Sequence, residues 1–192
     1  MKTPFYIIIR NAQNHWTGLT IDKNSISIIM DILFDNPIKE YHAREFSRAL
    51  GFSIFSVLEA IKVLSKSMIT VHKKGNMKII KASHSVAFIR AKRVRNIEKL
   101  YDSGLVDYLS DAYETPEAVI VFGSYSRGDD VEKSDIDIAV INIIKIHKSL
   151  GVEKFEKSLS RKIGIHEIDL SNISKEFHNN LINGIVLEGA LA

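Results

Sequence analysis

The 192-residue chain has no cysteine, which excludes disulfide bridges and thiolate metal sites. It also lacks an apolar run long enough to span a membrane. The run from Phe5 to Ile9 is closed by Arg10, and no small-residue cleavage site follows it, which argues against both an anchor and a signal peptide. Nothing argues for secretion, so a cytoplasmic location is expected. No Gly-x-x-x-x-Gly-Lys-Ser/Thr segment occurs either, and a P-loop hydrolase is not supported. What is present is ordinary for a globular protein: 45% hydrophobic and 26% charged residues, enough for a packed core.

The net charge of +3 conceals an asymmetry. Residues 1–112 carry 17 Lys and Arg against 10 Asp and Glu, a net of +7, whereas residues 113–192 carry 9 against 13, a net of −4. A basic half followed by an acidic one points to two units with different partners. The boundary is expected near Ser83, giving a first domain over residues 1–82 and a second over residues 83–192.

Within the first unit, Phe5 to Ile9 reads as a strand and Trp16 as a local packing residue. Asn24 or Ser25 is placed to cap a helix that carries Ile26, Ile29, Ile32 and Leu33 at helical spacing and ends at Asn36-Pro37. A short strand (Ile38 to His42), a helix from Ala43 to Leu50 stopped by Gly51, and a Ser53-capped helix with Val57, Leu58, Ile61 and Leu64 inward come next. A hairpin of Met68 to His72 and Met77 to Ile80 turns at Lys74-Gly75-Asn76. This order resembles a winged helix-turn-helix. The third helix opens on Ser53, Ile54, Phe55 and Ser56, poor material for reading base edges. The hairpin lysines Lys73, Lys74, Lys78 and Lys81 suit phosphate contact, so nucleic-acid contact and protein contact both stay open. Residues 83–113 read as a helical connector. Phe88, Ile89, Val94, Ile97, Leu100 and Tyr101 form one apolar face, and Arg90, Lys92, Arg93 and Arg95 form a solvated basic face or a phosphate-holding strip.

The segment that organises the rest is AVIVFGSYSRGDDVEKSDIDIAVIN, Ala118 to Asn142. Ala118 to Phe122 is an apolar β-branched run ending at Gly123-Ser124, as a buried strand ends in a tight turn. Asp135 to Ile141 is a second strand in which Asp135 and Asp137 share one face and Ile136 and Ile138 the other. Two carboxylates on one strand face suit Mg²⁺, which takes hard oxygen ligands and shares them with substrate phosphates. Gly123 lets backbone approach a ligand, Ser124 offers a hydroxyl, a helix starting there would turn free N–H groups toward a phosphate, and Arg127 could pair with an anion.

GSYSRGDDVEKSDIDIAVI resembles the signature of the minimal nucleotidyltransferases of the DNA polymerase β superfamily: strand, Gly-Ser, polar loop with Arg and Gly, then Ser-Asp-x-Asp. The resemblance runs from about Glu114 to the C-terminus. It implies an α+β protein in which the winged helix-turn-helix and the helical connector precede a small mixed-sheet nucleotidyltransferase domain with flanking helices. It further implies that Asp135 and Asp137 bind Mg²⁺ (two ions, with Mn²⁺ as a substitute), and that Gly123, Ser124, Arg127 and Ser134 surround the nucleotide triphosphate, ATP first. A third carboxylate belongs on a later strand. Ile163 to Leu170 is that strand, with Ile165, Glu167 and Asp169 on one face and His166, Ile168 and Leu170 on the other. Asp169 fits the family position better than Glu167, and His166 reads as structural. A helix from Ser149 to Arg161, with Val152, Phe155 and Leu159 inward, precedes this strand. A helix from Ser171 to Leu187 follows, carrying Ile173, Phe177, Leu181 and Ile185.

The implied reaction moves an NMP, AMP first, from NTP to a hydroxyl. Relatives modify RNA ends, small antibiotics or proteins, and small members act as antitoxins on HEPN-type toxins. Acceptor choice, a homodimer and a DNA-binding regulator that senses nucleotide without turnover all stay open.

Overall fold

The computed structural model describes residues 23–75, 77–141 and 150–191. The expected strand at Phe5 to Ile9 and Trp16 lie outside the described residues. Two compact units are present, one ending at Ser83 and the other beginning at His84. Among the described residues no helix is long and apolar enough to cross a membrane.

The first unit contains α1 (Lys23–Asp35), β1 (Tyr41–His42), α2 (Ala43–Leu50), α3 (Ile54–Leu64), β2 (Ile69–Lys74) and β3 (Met77–Ala82). Asn24 and Ser25 lie inside α1 rather than capping it. The α2 helix starts with the His42 N–H donating to Glu45 Oε2 at 2.8 Å and stops at Gly51, whose φ of +70° is the left-handed conformation glycine adopts freely. Ser53 caps α3 by accepting from the Ser56 N–H at 3.1 Å. Val57, Ala60, Ile61 and Leu64 turn inward with Ile29, Leu33, Phe46 and Ile80. Leu58, expected inward, is exposed, and so are Ile54 and Phe55, the last 70% exposed. The strands form one antiparallel sheet in the order β1-β3-β2.

The second unit begins with α4 (Val86–Asp102) and α5 (Leu105–Ala112). Then come β4 (Ala118–Phe122), α6 (Gly123–Arg127), β5 (Ile136–Ile141), α7 (Glu153–Leu159), β6 (Ile163–Ile168), a 3₁₀ turn at Leu170–Asn172, α8 (Lys175–Ile182) and β7 (Ile185–Gly189). The sheet order is β6-β5-β4-β7, with β4 antiparallel to both neighbours and β5 parallel to β6. Every residue of β4 is buried, and so is every residue of β5 but Asp137. One sheet face carries Val119, Val121, Ile136, Ile138 and Val140 against α4, α5 and α7, through Leu100, Leu105, Leu109 and Phe155. The other carries Ala118, Ile120, Phe122, Ala139 and Ile141 against Leu181 and Phe177 of α8. Each fully buried Val, Leu or Ile contributes about 1.5–3 kcal/mol relative to exposure.

Three expectations about the helices of this unit need correction. Val94 and Tyr101 of α4 are exposed; Phe88 and Leu100 are buried as expected, and between them, at four-residue steps, lie the buried Lys92 and Asn96. The helix expected from Ser149 is described only from Glu153. The single helix expected over Ser171 to Leu187 is a 3₁₀ turn, α8 and β7. The chain leaves α8 at Asn183-Gly184, and a Cβ on Gly184 would lie 2.8 Å from Ile120 Cγ2, so only glycine lets the chain pass so close before Ile185 pairs with β4.

Candidate active site

The β4–α6 turn fixes the site. Gly123 has φ +70°, and a Cβ there would lie 2.9 Å from Asp137 Oδ2. Gly164, paired with Asp137 across β5 and β6, has no Cβ to approach Asp137 Oδ1 and His166 Nε2, each 3.3 Å from where that atom would stand. The Asp137 carboxylate thus sits between two positions that carry no side chain. Asp135 lies one residue ahead of β5, exposed, and by strand alternation is directed to the same face.

The α6 helix starts at Gly123 itself, with Ser124 in its first turn. Its last carbonyls, which have no partner within the helix, are taken up by α4: Arg93 Nε donates to Ser126 O at 2.9 Å and Asn96 Nδ2 to Tyr125 O at 2.9 Å. Asn96 Nδ2 also donates to Asp130 Oδ1 at 2.8 Å, and Lys92 Nζ stands 3.2 Å from the same oxygen. Lys92 therefore belongs to neither the solvated face nor the phosphate strip expected of it: it is buried and anchors the polar loop ahead of Asp135. Arg95 pairs with Glu98 at 2.8 Å. Ser134 closes that loop by accepting from the Val131 N–H at 2.9 Å. Arg127 Nε stands 3.1 Å from Asp129 Oδ2 on the surface.

Beside the turn is a cleft of about 540 Å³ lined by Arg93, Gly123, Ser126, Arg127, Asn180 and Asn183. That volume is within the usual range of small-molecule sites. Asn180 and Asn183 come from α8 and the residue that follows it, and no motif in the sequence marks them.

On β6 the expected faces are reversed. The parallel register sets Gly164, His166 and Ile168 beside Asp137, Ala139 and Ile141, so His166 and not Glu167 shares the Asp137 face. His166 Nε2 is 3.3 Å from Asp137 Oδ1, and the imidazole packs edge-on against Phe122 at 5.2 Å between centroids. Glu167 projects to the opposite face and accepts from the Tyr113 hydroxyl at 2.9 Å. Asp169 stands beyond the strand as the cap of the 3₁₀ turn, where Oδ1 accepts from the Ser171 N–H at 3.0 Å and its hydroxyl at 2.7 Å. Asp169 therefore does not join Asp135 and Asp137 as the third carboxylate. Its odd position alternates away from their face, and the strand ends before it.

Among the described residues no three His, Cys, Asp or Glu side chains gather to hold a metal ion by themselves. The donor set fits a cation held by one or two carboxylates and completed by substrate phosphates, the usual condition of Mg²⁺.

Residues 105–191 match the family Polymerase beta, Nucleotidyltransferase. The protein is, by class, a nucleotidyltransferase. No curated protein matches the chain. Among solved structures, the chain is similar to a candidate nucleotidyltransferase from Sulfolobus solfataricus, with 20% identity over 49% of this chain and 80% of that one and a TM-score of 0.29.

Proposed function

We propose that the protein moves a nucleoside monophosphate, AMP first, from an NTP to a hydroxyl on a protein or RNA. The observation that carries this reading is the Asp137 carboxylate held between Gly123 and Gly164, beside a cleft of nucleotide size. Asp135 and Asp137 would hold Mg²⁺ together with the triphosphate. When bound, the cation would offset charge developing at the α-phosphorus and on the leaving pyrophosphate. The remaining work falls to the chain. Gly123 keeps the backbone open to the phosphates, Ser124 presents its hydroxyl and N–H at the turn, and Arg93 and Arg127 supply guanidinium groups along the cleft. The acceptor oxygen attacks the α-phosphorus, the bond to the β-phosphate oxygen breaks, the acceptor proton passes to water, and pyrophosphate leaves.

The first unit fits a winged helix-turn-helix, supported by its order of three helices and an antiparallel hairpin. The exposed Lys73, Lys74 and Lys78 of that hairpin favour phosphate contact, and the exposed Ile54 and Phe55 of α3 favour protein contact, including an acceptor of the HEPN-toxin kind.

The test is label transfer from each α-labelled NTP with Mg²⁺, adding total RNA or lysate protein, beside an Asp135→Ala/Asp137→Ala double variant. Label moved by the wild type alone supports the reading and its band names the acceptor class. Absence of NTP binding overturns it.

A further inference from the structure

The Asp137–His166 contact goes unused in the reaction above. The two carboxylate oxygens of Asp137 face different neighbours: Oδ2 looks to Gly123, and Oδ1 looks to Gly164 and His166. His166 Nε2 and Asp137 Oδ1 are 3.3 Å apart, and the missing Cβ of Gly164 leaves open the space that both atoms border, at 3.3 Å from each. Two donors bound at right angles to one octahedral ion at about 2.1 Å stand about 3 Å apart, close to this separation. Both side chains reach solvent, with 39% of His166 and 37% of Asp137 exposed. The imidazole is held by packing: Phe122 lies at 5.2 Å and Phe177 of α8 at 6.2 Å between ring centroids, which fixes where Nε2 points. The acids of β6 and its exit are engaged elsewhere, Glu167 with Tyr113 on the far face and Asp169 with Ser171.

We propose that Asp137 Oδ1 and His166 Nε2 form a mixed oxygen–nitrogen seat above Gly164 for a divalent transition ion of the Mn²⁺ kind, completed by nucleotide phosphate and water. This inference rests on the proposed function and specifies which cation its site prefers. Nitrogen donors raise affinity along the first-row series, whereas Mg²⁺ gains little from an imidazole in place of oxygen. The site therefore favours Mn²⁺ over Mg²⁺ at equal concentration.

The experiment uses the full chain carrying isotopically labelled histidine, with Mn²⁺ and α,β-methylene-ATP, which cannot be cleaved at the α-phosphorus. Pulsed electron paramagnetic resonance reads whether a histidine nitrogen is bonded to the manganese, and calorimetry reads the affinity for each cation. The expected result is a histidine–manganese coupling in the wild type, absent in His166→Gln. In that variant the Mn²⁺ affinity falls about tenfold or more while the Mg²⁺ affinity stays within about twofold. Gln can restore a hydrogen bond to Asp137, so a merely structural His166 would leave both affinities unchanged and overturn the proposal. Gly164→Ala is the second variant: its Cβ would enter the shared space, and a loss of Mn²⁺ affinity with unchanged circular dichroism is expected. Manganese–nucleotide bound without histidine coupling overturns this inference and leaves the proposed function standing. Binding of neither nucleotide nor cation overturns both.

Discussion

Lys92 of α4 and Asp130 of the loop before β5 form an ion pair at 3.2 Å in which each side chain is only 1% exposed. Asn96 donates to the same carboxylate, and Arg161 approaches its other oxygen at 3.8 Å. Removing Asp130 takes the carboxylate from two buried cations, and removing Lys92 takes from Asp130 its closest cation. Asp130→Ala and Lys92→Met are each expected to destabilise the second unit by about 3–5 kcal/mol. Urea unfolding followed by circular dichroism checks this, and a loss below about 1 kcal/mol would show that the pair does not hold the loop.

Gly123→Ala should separate binding from folding. The residue has φ +70° and faces Asp137 Oδ2 with room for no added carbon. The left-handed conformation costs an alanine about 1–2 kcal/mol, and the new methyl displaces the carboxylate. NTP affinity, measured by calorimetry, is expected to drop roughly tenfold or more while the unfolding transition stays cooperative.

Asp137→Asn and Asp169→Asn are expected to part company. The first removes a carboxylate from the cleft and should lower nucleotidyl transfer by roughly a thousandfold or more. The second affects a cap bonded to Ser171, with an expected stability loss of about 1 kcal/mol and transfer within a few-fold of wild type. Single-turnover label transfer distinguishes them, and equal losses would return Asp169 to the cleft.

The Tyr113–Glu167 pair sets an alkaline limit on stability. Burial, then the hydrogen bond to Glu167 and its charge, push the Tyr113 hydroxyl well above the ordinary tyrosine range. Above about pH 10 the unfolded chain releases this proton while the folded chain keeps it. Its contribution is therefore whole below pH 10 and declines as pH rises beyond it. Urea midpoints between pH 8 and pH 11 should fall more steeply for the wild type than for Tyr113→Phe.

The strand–turn–strand around Gly123 was legible because its periodicity and its glycine have one local interpretation. Ser53 before α3 and Gly51 after α2 were legible for the same reason, each a backbone requirement met by a neighbouring residue. Lys92 and Asn96 were not, because apolar periodicity assigns polar residues to the surface and neither residue reveals that Asp130, more than thirty positions later, supplies its partner. His166 was misplaced for a different reason. Alternation says which residues of β6 share a face, but only the pairing with β5 says which face meets Asp137, and pairing is a long-range property. The spacing of Phe177 and Leu181 in α8 and Ile185 in β7 mimicked one continued helix, and the close approach that Gly184 permits to β4 appears only in the folded chain.

The α4 helix lies ahead of the segment that matches the nucleotidyltransferase family, which begins at residue 105. Yet a Cβ on Gly128 would stand 2.7 Å from the Ile89 carbonyl oxygen, and the α4 side chains of Arg93 and Asn96 bind the end of α6. A fragment cut at the family's own border would uncover the back of the glycine–serine turn and strand Asp130 without lysine or asparagine. The compact unit that contains the turn begins upstream of the matched segment, at His84, and its first helix, α4, braces the turn from outside that segment.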